Sequence, residues 1–261
     1  MDTVLSGLSA CLARVRVTLC YAVIVTSITA AMLNMEPGAH DALIRHASTN
    51  LHNLSHGRVG TLVGSAFVVD AGPIYVWLPG LVCLLAAAEL LWGSTRLVVA
   101  FAAGHIGATL VVAAGLAAAV RLGWMSVSVA HAPDVGMSYG AMAVLGALTT
   151  AIPLRWRPAW AGCWLAVGAV VVALGRDFTD IGHTLAMVLG MAVSTRFGEP
   201  GRWTPPRRVL VGVGAAFAYV VLADSVDALV PVTTAGAVGA LIGGCAHLRR
   251  RSASRVDVRV G

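Results

Sequence analysis

Apolar residues run through this chain in long stretches with few interruptions. The runs lie at 17–33, 74–92, 97–120, 135–153, 158–174, 181–195, 209–223 and 228–248. Most approach the roughly 20 residues a helix needs to cross about 30 Å of hydrocarbon, so the pattern predicts eight membrane helices. The first run is long and has no clean small-residue cleavage site behind it, which argues against a signal peptide. The connection 34–73 is the longest. Within it Leu43, Ile44, Ala47, Leu51 and Leu54 recur at helical spacing, predicting an amphipathic helix on the membrane surface.

Composition agrees. The 261 residues are 58% hydrophobic and 11% charged, against roughly a quarter charged in soluble domains. All 18 basic residues are Arg, and they give a net charge of +6. Most fall before the first run, in alternate connections and after the last run, where the positive-inside rule places cytoplasm. Both termini are therefore expected on the cytoplasmic side of a bacterial plasma membrane. That distribution makes the basic tail topogenic or lipid-facing and gives no reason to invoke nucleic acid. The expected division is a cytoplasmic segment 1–16, a membrane core 17–195, a helical pair 196–248 and a basic tail 249–261.

Five scattered cysteines, Cys11, Cys20, Cys83, Cys163 and Cys245, read as packing residues. His40, His46, His52 and His56 share the polar face of the surface helix, but no carboxylate set or HExxH completes a ligand shell. No metal and no cofactor is expected.

Polar residues inside apolar runs are costly and mark candidate chemistry. They are Glu89, His105, Ser138 with Tyr139, and His183. Glu89 and Arg96 suit a structural role near one end of the second run. His105 suits a buried interhelical hydrogen bond or a site-supporting role. Residues 136–140 read Gly-Met-Ser-Tyr-Gly, which matches the nucleophile elbow of soluble hydrolases literally but lacks its strand-turn-helix setting. Asp177 and Asp180 read as caps of the sixth helix.

The fourth and sixth runs point the same way across the membrane, and Ser138 and His183 both fall in the predicted first turn, at a common depth. Backbone N–H groups without intrahelical acceptors surround such a serine, and the helix dipole adds positive potential there. The same dipole favours a neutral His183 able to take the serine proton. The alternative is a serine bonded to its own helix and a histidine satisfied between helices.

Gly136-Met137-Ser138 at the start of the fourth run, Gly182-His183 at the start of the sixth, and small residues Ala143, Gly146, Ala186 and Gly190 behind them are the core of a resemblance. Ser65-Ala66-Phe67, Glu89 and Gly93-Ser94-Thr95-Arg96 extend it, so that it covers about 58–195. In these features the chain resembles the rhomboid intramembrane serine proteases. The resemblance implies an all-α polytopic membrane protein with a rhomboid-like six-helix core, to which this chain adds two C-terminal transmembrane helices. It also implies cleavage of a partner membrane protein's transmembrane segment by a Ser138–His183 dyad. Backbone amides of Met137 and Ser138 would hold the oxyanion, with Gly136, Tyr139 and His105 supporting the site.

Two departures stand out. The second-run His and Asn of such proteases fall near Pro73 and Trp77 here, and Tyr139 replaces the small residue after the nucleophile. A catalytically inactive rhomboid-like binder of membrane segments, and a small transporter, stay open.

Overall fold

The computed structural model describes residues 12–69, 74–175 and 177–260, with side chains described as far as Leu248. Its long helices are α1 (Arg16–Leu33), α5 (Ile74–Trp92), α6 (Ser94–Arg121), α7 (Ser138–Ala151), α8 (Arg157–Gly175), α9 (Phe178–Ser194), α10 (Pro205–Ala223) and α11 (Val226–Val260). The short helices α2 (Pro37–Ala47), α3 (Leu51–Ser55) and α4 (Thr61–Gly64) and a 3₁₀ turn (Ser65–Phe67) fill the connection between α1 and α5. A second 3₁₀ turn, Val127–His131, follows α6. All eight expected helices form. Six of them, among the described residues, are long and apolar enough to cross a membrane: α1, α5, α6, α8, α10 and the Val226–Leu248 part of α11.

The other two depart from their runs: α7, with 14 residues, is shorter than the run 135–153, whereas α9, with 17, begins ahead of the run 181–195. Fourteen residues make α7 about 21 Å long, and twelve of them are buried. Helices α5, α6, α8, α9 and α10 surround it, so α7 is the core of the bundle. Missing side chains allow the close approach. A Cβ on Gly146 would strike the Met187 carbonyl of α9, one on Gly190 the Ala143 carbonyl of α7, and one on Gly104 of α6 the Ala143 side chain. This is small-residue packing, which serves membrane helices where no hydrophobic drive brings them together.

The two C-terminal helices clad different members of the core. On one side α10 packs along α5, where Gly80 meets Phe217 and Gly214 meets Leu84. Away from it, α11 packs along α8, where Gly162 faces Gly239 and Gly243 faces the Pro158 carbonyl.

The predicted single surface helix is two helices. The chain breaks at 48–50, where Asn50 accepts a hydrogen bond from the Asn53 amide and caps α3. Ser48 and Thr49 turn their polar groups inward there, which a continuous helix would not permit. The apolar part of the prediction holds in α2, since Ile44 is buried against Met32 and Val68.

Glu89 stitches three helices together at one end of the bundle. Its Oε1 accepts from the Val17 amide at 3.0 Å and the Ser94 hydroxyl at 2.7 Å. Its Oε2 accepts from the Thr18 amide at 2.8 Å and the Thr18 hydroxyl at 2.7 Å. The carboxylate of α5 thus caps the otherwise unsatisfied first turn of α1 and holds the start of α6. Its partners are these groups, and Arg96 is not one of them. Gly93, at φ +84°, makes the one-residue turn between α5 and α6 possible.

Candidate functional site

The site is built at the opposite end of α7 from a loop held in place by the connection after α1. Asp134 donates its amide to the Ser48 hydroxyl at 2.8 Å, and Thr49 donates its amide to the Asp134 carbonyl at 2.9 Å. Gly136, at φ +121°, donates its amide to the Ser65 carbonyl at 2.9 Å. A residue with a side chain would be strained at that angle. These bonds fix where α7 begins. Ser138 is its first helical residue and Met137 precedes it as a buried cap position.

Residue 183 does not sit in the first turn of its helix, as the sequence pattern suggested. Asp177 caps α9 and its side chain accepts from the Thr179 amide, so the helix starts at Phe178 and His183 lies five residues, about 7.5 Å, further along. The helix dipole acts mainly within the first turn, so its support for a neutral ring is smaller than expected. What shares a level with His183 is Tyr139. Its ring meets the imidazole edge to face, with centroids 5.3 Å apart and planes at 86°. Gly182 makes room for that ring, since a Cβ there would collide with the tyrosine. Tyr139 is 3% exposed and its hydroxyl has no partner.

His183 is half-buried as a residue, yet both ring nitrogens are shut off from solvent and neither makes a hydrogen bond. The satisfied interhelical histidine is therefore not what the structure contains. Ser138, half-buried, stands beside Tyr139 at the mouth of the same turn. No hydrogen bond joins Ser138 to His183.

His105 is different. Its Nε2 lies 3.1 Å from the Ser65 hydroxyl, which is 2.6 Å from the Thr49 hydroxyl, which is 2.9 Å from the Thr61 carbonyl. The Thr49 hydroxyl shares its one hydrogen between Ser65 and the Thr61 carbonyl. Ser65 and His105, 1% and 5% exposed, form a buried link. The expected bond of His105 thus exists, but it goes to the 3₁₀ turn and not to another helix. Through Ser65 it braces Gly136, two residues before Ser138. Ser65 entered the sequence reading only through its tripeptide and Thr49 not at all, because partners 16 and 40 residues apart leave no local signal.

Pro73 lies outside the described residues, and the buried indole N–H of Trp77 has no partner. Among the described residues, no three His, Cys, Asp or Glu side chains converge as a metal site would require. His52 stacks on His131 and tilts against His56, with ring centroids 4.5 and 4.3 Å apart, on the surface. Cys20, Cys83, Cys163 and Cys245 are free thiols, and Cys11 lies outside the described residues.

No curated protein and no solved structure matches the chain. A family model described as rhomboid-like protein matches residues 3–197, from ahead of α1 to the end of α9. That stretch holds the central α7, its glycine contacts with α6 and α9, and the turn carrying Ser138. The chain belongs to the rhomboid-like protein family.

Proposed function

We propose that the protein is a serine protease of membrane segments, with Ser138 as nucleophile and His183 as base. The supporting observation is the imidazole of His183, buried beside the first turn of α7 with both nitrogens unpaired. A buried polar group without a partner is rare and calls for an explanation, and a base awaiting a substrate-bound serine supplies one. Hydrogen bonds between catalytic groups are often made only when substrate is present.

In this reading His183 takes the Ser138 hydroxyl proton as Oγ bonds to the scissile carbonyl carbon. The amides of Met137 and Ser138 hold the resulting oxyanion. The C–N bond then breaks, His183 returns the proton to the leaving amine, and water hydrolyses the acyl ester. Gly136, Tyr139 and His105 shape the turn. The partner is a membrane protein offering a transmembrane segment, and no metal or cofactor takes part.

Tyr139 favours a second reading, a non-catalytic binder of membrane segments, because its ring packs on the imidazole that the serine needs. One labelling series separates the two. A fluorophosphonate probe is expected to label the wild type, to fail on Ser138→Ala, and to label His183→Ala at least about a hundredfold more slowly. Tyr139→Gly is expected to label faster. No labelling of either the wild type or Tyr139→Gly would leave the binder. Solute flux into liposomes that survives Ser138→Ala would support a transporter instead.

A further inference from the structure

The bundle is open between α1 and α6. A cavity of about 490 Å³ runs beside α1 from Arg16 to Ile24 and beside α6 from Leu97 to Ile106, a length of about 13 Å. Its walls are apolar. Part of them is an aromatic cluster in which Tyr21 lies 5.3 Å from Phe67 and 5.2 Å from Phe101. The Tyr21 hydroxyl donates to the Ala66 carbonyl at 2.6 Å, so the one polar group of the cluster is already satisfied.

At its Arg16 end the cleft adjoins a second space of opposite character. This recess, of about 400 Å³, is lined by Arg14, Arg16, Ser94, Thr95 and Glu89 among others. Arg16 lines both spaces, and its Nε donates to the Ser94 hydroxyl at 3.4 Å. The Glu89 oxygens are already engaged by Val17, Thr18 and Ser94. What the recess offers a ligand is therefore two guanidinium groups.

We propose that the two spaces together bind one anionic glycerophospholipid, with its phosphate between Arg14 and Arg16 and one acyl chain in the cleft. Guanidinium groups match phosphate oxygens in charge and fork geometry. A zwitterionic phospholipid gains less from them, because its own ammonium is repelled, and a free phosphate gains nothing from the cleft.

The test is native mass spectrometry of the full chain in detergent with dioleoylphosphatidylglycerol, dioleoylphosphatidylcholine or glycerol 3-phosphate. A single phosphatidylglycerol adduct is expected at a concentration at least about tenfold below that needed for phosphatidylcholine, since each arginine near a membrane surface contributes about fivefold. Arg14→Gln with Arg16→Gln should bring phosphatidylglycerol to the phosphatidylcholine level. Ala102→Trp, which fills the cleft, should abolish the adduct. If Ala102→Trp fails to fold, Val98→Trp, at a position 49% exposed, tests the same cleft. Equal binding of the two lipids, or an adduct indifferent to the tryptophan, overturns the proposal. So does glycerol 3-phosphate competing as well as the lipid, which would mean a phosphate site alone, or displacement by an apolar helical peptide, which would mean a helix dock.

Discussion

Glu89 is 2% exposed and accepts four hydrogen bonds, two on each oxygen. Removing a buried acceptor strands its donors at about 1–3 kcal/mol each. Glu89→Ala is therefore expected to lose at least about 3 kcal/mol, seen as a lower midpoint of thermal unfolding in detergent. Glu89→Gln should lose less, because one oxygen still accepts. An unchanged midpoint in the alanine variant would show that water replaces the carboxylate.

Asp134 offers a pH test. Burial raises its carboxyl from the usual range to about 6, and the nearby Asp177 charge adds to the rise. The folded state then binds this proton more tightly than the unfolded chain does, so the penalty is complete above pH 6 and is relieved as pH falls from 6 towards 4. Amide exchange at 134–138, corrected for intrinsic rate, is expected to be slower at pH 5 than at pH 7.5, and Asp134→Asn should erase the difference. Equal protection at both pH values in the wild type would remove this group from the control of the loop. At this scale the sequence was half legible. A carboxylate and two histidines in apolar runs announce themselves, but the groups they meet, Ser94 beside Glu89 excepted, lie 40 or more positions away.

Among the elements, the contact of α7 with α9 turns on bare glycines. Valine at Gly190 would press on the Ala143 carbonyl, backbone that cannot swing aside as a side chain can. Gly190→Val is expected to cost about 1–3 kcal/mol in the same melting experiment. Gly115→Ala on α6, where a Cβ meets nothing within 4 Å, should gain about 0.5–1 kcal/mol. Equal effects would mean that α7 and α9 are not in contact in the membrane.

Helix existence was readable from apolar runs, since eight runs became eight helices. Their ends were not, because an apolar residue outside a helix looks like one inside it. Val135 and Met137 continue the apolar run but belong to the loop before α7. Asp177, a polar residue, marks the true start of α9, four residues before Ile181. The split between α2 and α3 likewise follows from Asn50 capping and from buried Ser48 and Thr49, which hydrophobic spacing does not register.

Over the whole molecule, hydrogen bonds show which helix ends lie together. Glu89 joins the starts of α1 and α6 to the end of α5. The Gly201 amide donates to the Leu91 carbonyl, Trp203 Nε1 donates to the Ala151 carbonyl and the Thr150 hydroxyl donates to the Ser194 carbonyl. These bonds gather the connections carrying Arg155, Arg196 and Arg202 and the helix starts carrying Arg96 and Arg157 at one face, while Asp134, Asp177 and Asp224 flank helix ends on the other. The positive-inside rule then predicts that a cysteine placed at Arg155 in cells resists an impermeant maleimide while one at Asp134 reacts. The reverse pattern would invert the orientation.

A further consequence follows from the length of α7. At about 21 Å it falls roughly 9 Å short of the hydrocarbon thickness, so if Ala151 lies level with the arginine-rich surface, Ser138 lies at the bottom of a well sunk from the other. Polar groups at the floor of such a well can be wetted from above while lipid tails surround the wall, and any peptide bond presented there must first be lowered from its own hydrophobic stretch into that damp pit.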